Sequence, residues 1–314
     1  MHPAASVIFF TTASGAGYGI LVLLGILVPL GYLPTEPWFG AVTLLLALGL
    51  VSAGLLSSTF HLHHPERAWR ALSQWRSSWL SREGVAAIVT YGPALLFAFG
   101  WIVYGNSIGG WALWGAVAAI MALVTIYSTA MIYASLRTIR QWHHRLVPLV
   151  YLTLGLASGA IWLTAISSSF GITNDLVVAV ALIFILAGAV IKFIYWSSID
   201  QSVSQSDAGT ATGLGHIGTV KQFEAPHTED NWVMKEMGFQ IARKHALKLR
   251  KIVGLLAFFI PFICLLGALM DVAPVLAMSW IAALSASIGI VVERWLFFAE
   301  AQHVVGLFYG HDHS

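Results

Sequence analysis

Apolar stretches of about 20 or more residues alternate with polar connections along the chain, at roughly 5–30, 39–61, 84–105, 110–135, 147–170, 175–198, 252–270 and 274–297. A helix needs about 20 residues to cross a bilayer core of about 30 Å, so each stretch is long enough to span. Backbone surrounded by lipid must satisfy its own hydrogen bonds, and a helix does this within one segment. The pattern predicts an all-α integral membrane protein, a bundle of eight transmembrane helices forming a single polytopic domain over residues 1–314. No short-period repeat is visible. Gly, Ala and Ser recur inside the spans, as in Ser14-Gly15-Ala16-Gly17, and suit close approach of helices.

The connections differ sharply in length and charge. Segment 62–83 carries Arg67, Arg70, Arg76 and Arg82, segment 136–146 carries Arg137, Arg140 and Arg145, and segment 199–251 carries seven further Lys and Arg residues. The connections on the other side hold Glu36, Asp175 and Asp271 and no Lys or Arg. Basic connections stay cytoplasmic, so both termini and all the long connections are expected inside, an N-in/C-in topology that an even number of spans requires. The extended segment 200–250 is expected as one long cytoplasmic loop. Its first part, QSVSQSDAGTATGLGHIG, reads as flexible. From Pro226 to Lys251 it reads as ordered, with Thr228 as the N-cap of a helix whose basic residues gather at its C-terminal end. That helix can lie on anionic headgroups or form a docking surface for a soluble subunit, and the two uses are compatible.

Composition sharpens the class. The 314 residues are 58% hydrophobic and 10% charged, where about a quarter charged is usual for a soluble domain. Mean hydropathy is +0.80. The single cysteine, Cys264, excludes an intrachain disulfide and a cysteine-ligated iron–sulfur cluster. The N-terminus has no basic stretch of the secretory kind, and its first apolar run is long enough to span.

Chemistry concentrates between His61 and Glu83, in the stretch HLHHPERAWRALSQWRSSWLSRE. His61, His63 and His64 resemble a metal site only weakly, since no cysteine cluster or HExxH pattern accompanies them. A bis-histidine haem needs ligands on facing helices, and the candidate histidines, which include His143, His144, His245 and His303, all fall on one side. A third reading has His61 hydrogen-bond a quinone carbonyl, where its ordinary pKa near 6.5 suits proton exchange. Glu83 can face His61 and carry a second proton, or serve as a first-turn acid or a partner of Arg82. The arginines double as positive-inside anchors, and Trp69, Trp75 and Trp79 as an interfacial aromatic belt. Lys192 lies two turns inside the sixth span and either snorkels to the interface or lines a polar cavity. Glu293 and Arg294 end the eighth span, and Glu300 and His303 share a face of its continuation at i, i+3. Trp79, Arg82, Lys192, Glu293, Arg294 and His303 are therefore candidates for pocket or partner contacts. No chain of acids lies mid-membrane, which argues against a pump or ion-coupled transporter.

The stretch FHLHHPERAWRALSQWRSSWLSREG resembles the corresponding connection in the membrane anchor subunits of dimethyl sulfoxide reductase-type molybdoenzymes. The opening HPAASVIFFTTASGAGYG, the segment APHTEDNWVMKEMGFQIARKHALKLR and the ending ERWLFFAEAQHVVGLFYG match the same family. WRSSWLSRE, EMGF and RWLFFAEAQH look most like the branch serving cytoplasmic quinone-linked sulfite dehydrogenases. The resemblance implies a bacterial inner-membrane anchor with a molybdopterin catalytic subunit and an iron–sulfur subunit on its cytoplasmic side. It implies a bound quinone, ubiquinone or menaquinone, and no haem or metal in the anchor. Quinone-site positions of the family fall on His61 and Glu83. With them go Arg67 as an orienting group and His64 as an added histidine beside the site, where the family's HLGxP pattern reads His61-Leu62-His63-His64-Pro65. Electrons from sulfite oxidation would reach the quinone through iron–sulfur clusters. The alternatives are a menaquinol-oxidising anchor of a dimethyl sulfoxide reductase-type complex and, in another class, a transporter or assembly anchor without quinone chemistry.

Overall fold

In a computed structural model, the chain is described at residues 3–59, 62, 64–202, 206–221, 223–224, 228–229, 231, 234 and 244–309. Eight helices among these are long and apolar enough to span a membrane. They are α1 (Ala5–Leu27), α2 (Pro37–Thr59), α3 (Trp79–Val103), α4 (Gly110–Ala134), α5 (Val147–Ser169), α6 (Asp175–Gln201), α7 (Ala246–Leu269) and α8 (Val275–Ala299). The described residues contain no β-strand, although an isolated bridge pairs Ile139 with His303.

Two helices begin earlier than hydropathy places them. Helix α3 starts at Trp79 rather than 84, and α7 at Ala246 rather than 252. Hydropathy measures the hydrocarbon layer, whereas backbone hydrogen bonds continue through the interface. Arg82 N–H already donates to Ser78 O at 3.1 Å. Trp79, Arg82 and Glu83 are thereby helical residues and not part of a loop. Within α7, residues Gly254–Phe259 form a π-helical turn just before Pro261. Such a turn commonly marks where a helix accommodates a local break in its hydrogen-bond ladder.

Small residues set the centre of the bundle. Helix α1 packs against α2, α4, α5 and α8. Its Gly15 and Gly19 face Gly155 and Gly159 of α5, each pair spaced i, i+4. A Cβ on Gly19 would lie 2.1 Å from Gly155 O, and one on Gly159 would lie 2.2 Å from Gly19 C. The backbones touch where these side chains are absent, which is how helices associate when lipid provides no hydrophobic drive. Helices α3 and α4 pack along their length, whereas α2 touches α3 far less.

One end of the bundle, carrying the N-terminus and the arginine-rich connections, is closed by buried rings. Tyr133, Trp142, Tyr151, Phe297 and Phe298 form a cluster with centroid separations such as 5.2 Å between Tyr133 and Trp142. Trp142 Nε1 donates to Phe297 O at 3.0 Å, which satisfies the indole. Beside the cluster, Pro65–Gln74 forms a 3₁₀ helix that folds back on α3. Ser81 Oγ donates to Ala71 O, and Arg82 donates to Trp75 O at 3.0 Å and Arg76 O at 2.7 Å.

The stretch after α6 is more ordered than its composition suggests. Asp207 caps a short helix, Ala208–Thr212, with reciprocal bonds to Thr210. Gly213 follows at φ 73°, a left-handed conformation that ends the helix. The helix expected from Thr228 falls largely on residues outside those described. Its basic C-terminal part, from Ala246, forms the first turns of α7.

Candidate functional site

Glu83 sits on the buried face of α3, where Glu83, Ala87 and Thr90 recur at helical spacing. It is 4% exposed. Thr129 of α4 donates to Glu83 Oε1 at 2.6 Å while its hydroxyl also reaches Thr125 O at 3.0 Å. Thr125 and Thr129, four residues apart, present both hydroxyls to α3, and Thr125 meets Thr90 at 3.3 Å. Two turns further along α3, Tyr91 OH is 2.6 Å from Ser52 Oγ of α2. Among the described residues Glu83 has no ion-pair partner. This replaces the readings of Glu83 as a first-turn acid or a partner of Arg82. Arg82 is committed to Trp75 and Arg76 and lies 4.3 Å over the Trp79 ring.

A second constellation lies at the same end between α6 and α8. Glu293 forms ion pairs with both Lys192 and Arg294, and accepts a hydrogen bond from Arg294 Nε. The three side chains are 0%, 1% and 2% exposed, respectively. Lys192 Nζ is 4.4 Å from the Tyr195 ring, and the Arg294 guanidinium is 4.1 Å over Tyr151. Lys192 therefore does not snorkel. Glu293 and Arg294 do not end their span either, because α8 continues to Ala299. At a rise of about 1.5 Å per residue, Arg294 lies roughly 8 Å inside the end of α8. A buried charge is retained when it is paired and hydrogen-bonded, and here one carboxylate serves two cations.

Above this triad the charges continue to the surface. Arg250 of α7 binds Asp200 at 2.5 and 3.0 Å and Glu300 at 2.9 Å. These groups line an open cavity of about 300 Å³ together with Arg140, Gln141 and Gln302. Burial pushes the Glu300 carboxyl above its ordinary value, against the opposing fields of Arg250 and Lys192. Below the triad is a small, half-open cavity of about 20 Å³ between α1, α4, α5 and α8. Its wall includes Ser14, Tyr18, Thr129, Tyr151, Ser158 and Arg294. The hydroxyls of Tyr18 and Tyr151 and Arg294 Nη2 are buried there without a well-formed hydrogen bond to any described residue.

Several sequence candidates fall elsewhere. His61 and His63 lie outside the described residues. His64 and Arg67 are on the exposed 3₁₀ segment, both beside Glu66, at 3.0 and 3.7 Å. The structure therefore does not bring them to buried Glu83. Trp79 packs edge-on to Tyr127 at 5.9 Å. Glu300 and His303 do not share a helix face, because α8 ends at Ala299 and Glu300 caps it. His303 instead accepts from Val305 N–H through Nδ1 at 3.0 Å. Thr129, Tyr18, Tyr151, Asp200 and Arg250 escaped the sequence reading. A signal for pairing did exist, because charges of both signs inside separate spans require partners. Among the described residues no three His, Cys, Asp or Glu side chains assemble as a metal-ligand group.

The fold and site define a multi-pass helical membrane protein with its buried ionisable groups gathered toward one end. The family model described as DMSO reductase anchor subunit (DmsC) matches residues 1–310, and the chain belongs to this family of membrane anchors. Among curated proteins, the chain is 35% identical to a sulfite dehydrogenase subunit of Allochromatium vinosum, covering 98% of this chain and 99% of that protein. No solved structure matches significantly.

Proposed function

We propose that this chain is the quinone-binding membrane anchor of a molybdopterin/iron–sulfur complex that oxidises sulfite in the cytoplasm of a bacterium. The family and the sulfite dehydrogenase relative support the anchor role. The charge asymmetry supports an N-in/C-in orientation, with segment 200–250 and the partner subunits on the cytoplasmic side. The observation that carries the quinone reading is Glu83. It is a buried carboxyl without an ion pair among the described residues, one hydroxyl donor away from a small cavity, beneath the connection that bears His61.

The residues fit a quinone beside Glu83 but not inside the cavity, since about 20 Å³ holds roughly one water and no ring. The weakly packed seam between α2 and α3 offers lateral access from the bilayer. The Ser52–Tyr91 hydroxyl pair lines that seam. His61, two residues beyond the end of α2, would donate to a quinone carbonyl, and Glu83 would exchange the proton. A bound quinone supplies the acceptor for two electrons and two protons, matching the two of each released when sulfite and water give sulfate. Glu83 holds one such proton out of bulk water, and Thr129 fixes its carboxyl orientation. Arg82 and Trp79, stacked at the start of α3, hold that turn at the interface.

The test is a purified complex assayed for sulfite-dependent quinone reduction. Glu83→Gln keeps the shape and should preserve assembly and sulfite oxidation with a soluble artificial acceptor. Its quinone-linked turnover should fall by about 10²-fold or more, the usual contribution of a positioned proton-transfer group. Unchanged quinone turnover in Glu83→Gln would remove the pocket. Activity with quinol and an S- or N-oxide instead of sulfite would favour the reductase direction that the family description also fits.

A further inference from the structure

Thr129 Oγ1 lies 2.6 Å from Glu83 Oε1 and 3.0 Å from Thr125 O, the carbonyl one turn back on α4. A hydroxyl carries one hydrogen and two lone pairs, so it donates to one of these oxygens at a time. When Glu83 is ionised, the hydrogen goes to the carboxylate, the stronger acceptor. When Glu83 is protonated, its own O–H can donate to Thr129 Oγ1, and the threonine hydrogen turns to Thr125 O. Both arrangements use the same heavy-atom positions. A backbone N–H, a lysine or an arginine in that place could serve the carboxylate alone, because none of them accepts. The neighbouring threonines lack this choice. Thr125 donates to Met121 O at 2.8 Å and Thr90 to Ala86 O at 2.7 Å, and neither is hydrogen-bonded to Glu83. Thr129 and Glu83 are 5% and 4% exposed, so bulk water does not stand in for either partner.

We propose that Thr129 is a positioning residue with a two-way hydroxyl, holding the Glu83 carboxyl in one place whether it is ionised or protonated. The inference deepens the quinone reading and rests on it for its purpose. As protonated Glu83 passes its proton to an oxygen of the quinone, reduced by electrons from the iron–sulfur partner, the carboxyl O–H bond breaks and an O–H bond forms on that oxygen. The Thr129 hydrogen then rotates from Thr125 O to Glu83 Oε1, and reprotonation of Glu83 reverses the rotation. Threonine neither gains nor loses a proton, and no heavy atom has to move. Tyr18 of α1, Tyr133 of α4 and Tyr151 of α5 feel the charge of Glu83, and Arg294 of α8 stacks on Tyr151. Helix α2 carries no titratable side chain, α3 itself adds Arg82 and Tyr91, and the 3₁₀ segment adds Glu66, Arg67 and Arg70, all exposed. The tyrosines and arginines keep their charge states below about pH 9.

The test is made without quinone, on the full chain in lipid nanodiscs. The C=O stretch of protonated Glu83 is the infrared band that Glu83→Gln removes, and its growth on lowering pH gives the protonation midpoint. Thr129→Val keeps the side-chain shape and removes the hydroxyl, and Thr129→Ser restores a hydroxyl. Thr43→Val is the control, because it removes an equally buried hydroxyl that bonds Phe39 O at 2.7 Å within α2. In Thr129→Val the ionised carboxyl loses a charge-assisted bond and the protonated one a neutral bond. The midpoint should therefore rise by about one pH unit, a roughly tenfold change in proton affinity. The band should also shift in frequency, because the acid has lost its acceptor. Thr129→Ser and Thr43→Val should keep wild-type values of both. A Thr129→Val midpoint equal to wild type, or a wild-type band that never follows pH, would overturn the inference. So would a raised midpoint with an unshifted band, which describes a donor serving the carboxylate alone. In the assembled complex, Thr129→Val should lower quinone-linked turnover normalised to sulfite oxidation with a soluble acceptor. If both infrared changes appear but that ratio does not fall, the two-way hydroxyl stands and the quinone reading fails.

Discussion

Glu293→Gln is the substitution with the most clearly defined consequence. The amide keeps the shape of the carboxyl but removes its charge, leaving Lys192 and Arg294 at 1% and 2% exposure with no carboxylate between them. Removing one partner from a buried pair costs about 3–5 kcal/mol, because the surviving charge keeps its desolvation penalty and loses its compensation. Two cations are stranded here, which places the cost at the upper end. The comparison is Glu66→Gln, which disrupts the contacts to His64 and Arg67 on a segment where all three side chains are about 60% exposed. Exposed pairs contribute about 0–1 kcal/mol. The assay is thermal unfolding in detergent, followed by monodisperse recovery on size exclusion. Glu293→Gln should lower the midpoint by several degrees or abolish recovery, and Glu66→Gln should match wild type. Lys192→Met added to Glu293→Gln should restore part of the loss, because the second stranded charge is gone and the Met stem still fills the site. If Glu293→Gln unfolds no earlier than Glu66→Gln, the triad is not the buried, unhydrated cluster that the geometry describes.

Two other predictions concern packing and pH. Gly19→Leu drives a side chain into Gly155 O and should cost at least about 1–3 kcal/mol or prevent folding. Gly49→Ala, where nothing lies within 4 Å of the added carbon, should be recovered at wild-type yield and midpoint. Burial holds the imidazoles of His144 and His303 below their ordinary 6.5, with Arg145 adding to the effect at His144. Both accept a backbone N–H through Nδ1, from Leu146 at 3.2 Å and Val305 at 3.0 Å, and protonation there would oppose two donors. A depressed histidine pKa means the fold is favoured above the unfolded value and loses stability as pH falls from about 6.5 through the lower folded value. His144→Gln and His303→Gln should each flatten that acid limb in a melting series, and an unchanged slope in both would refute the assignment.

The spans, their number and the family were legible in the chain itself. Membrane-length apolar runs have few physical outcomes, since a lipid-embedded backbone must close its own hydrogen bonds within helices. The motifs between His61 and Glu83 carried the family resemblance, and the match over residues 1–310 agrees with it. The Gly-rich pattern in α1 announced close packing but not its partner. Only the fold set Gly15 and Gly19 against Gly155 and Gly159, more than a hundred residues away. Hydropathy also hid where the polar groups go. Lys192 scores as a defect in an apolar run, and Glu293 and Arg294 score as the end of one. Their pairing across α6 and α8 depends on the rotation of two helices that neither sequence segment specifies.

The same limit applies to Glu83. Its charge and its place after an arginine-rich connection marked it as notable, but its burial follows from the five extra residues at the start of α3. Those residues are interfacial in composition and helical through backbone bonding that hydropathy does not register. Thr129 carried no signal in the chain, because a threonine in a span usually bonds its own helix, and this one does so as well as reaching Glu83. Sequence determined that the protein crosses the membrane, how often, and which connections hold its charge. Tertiary structure alone decided which charges lose contact with water, because burial belongs to the contact between helices and not to any one of them.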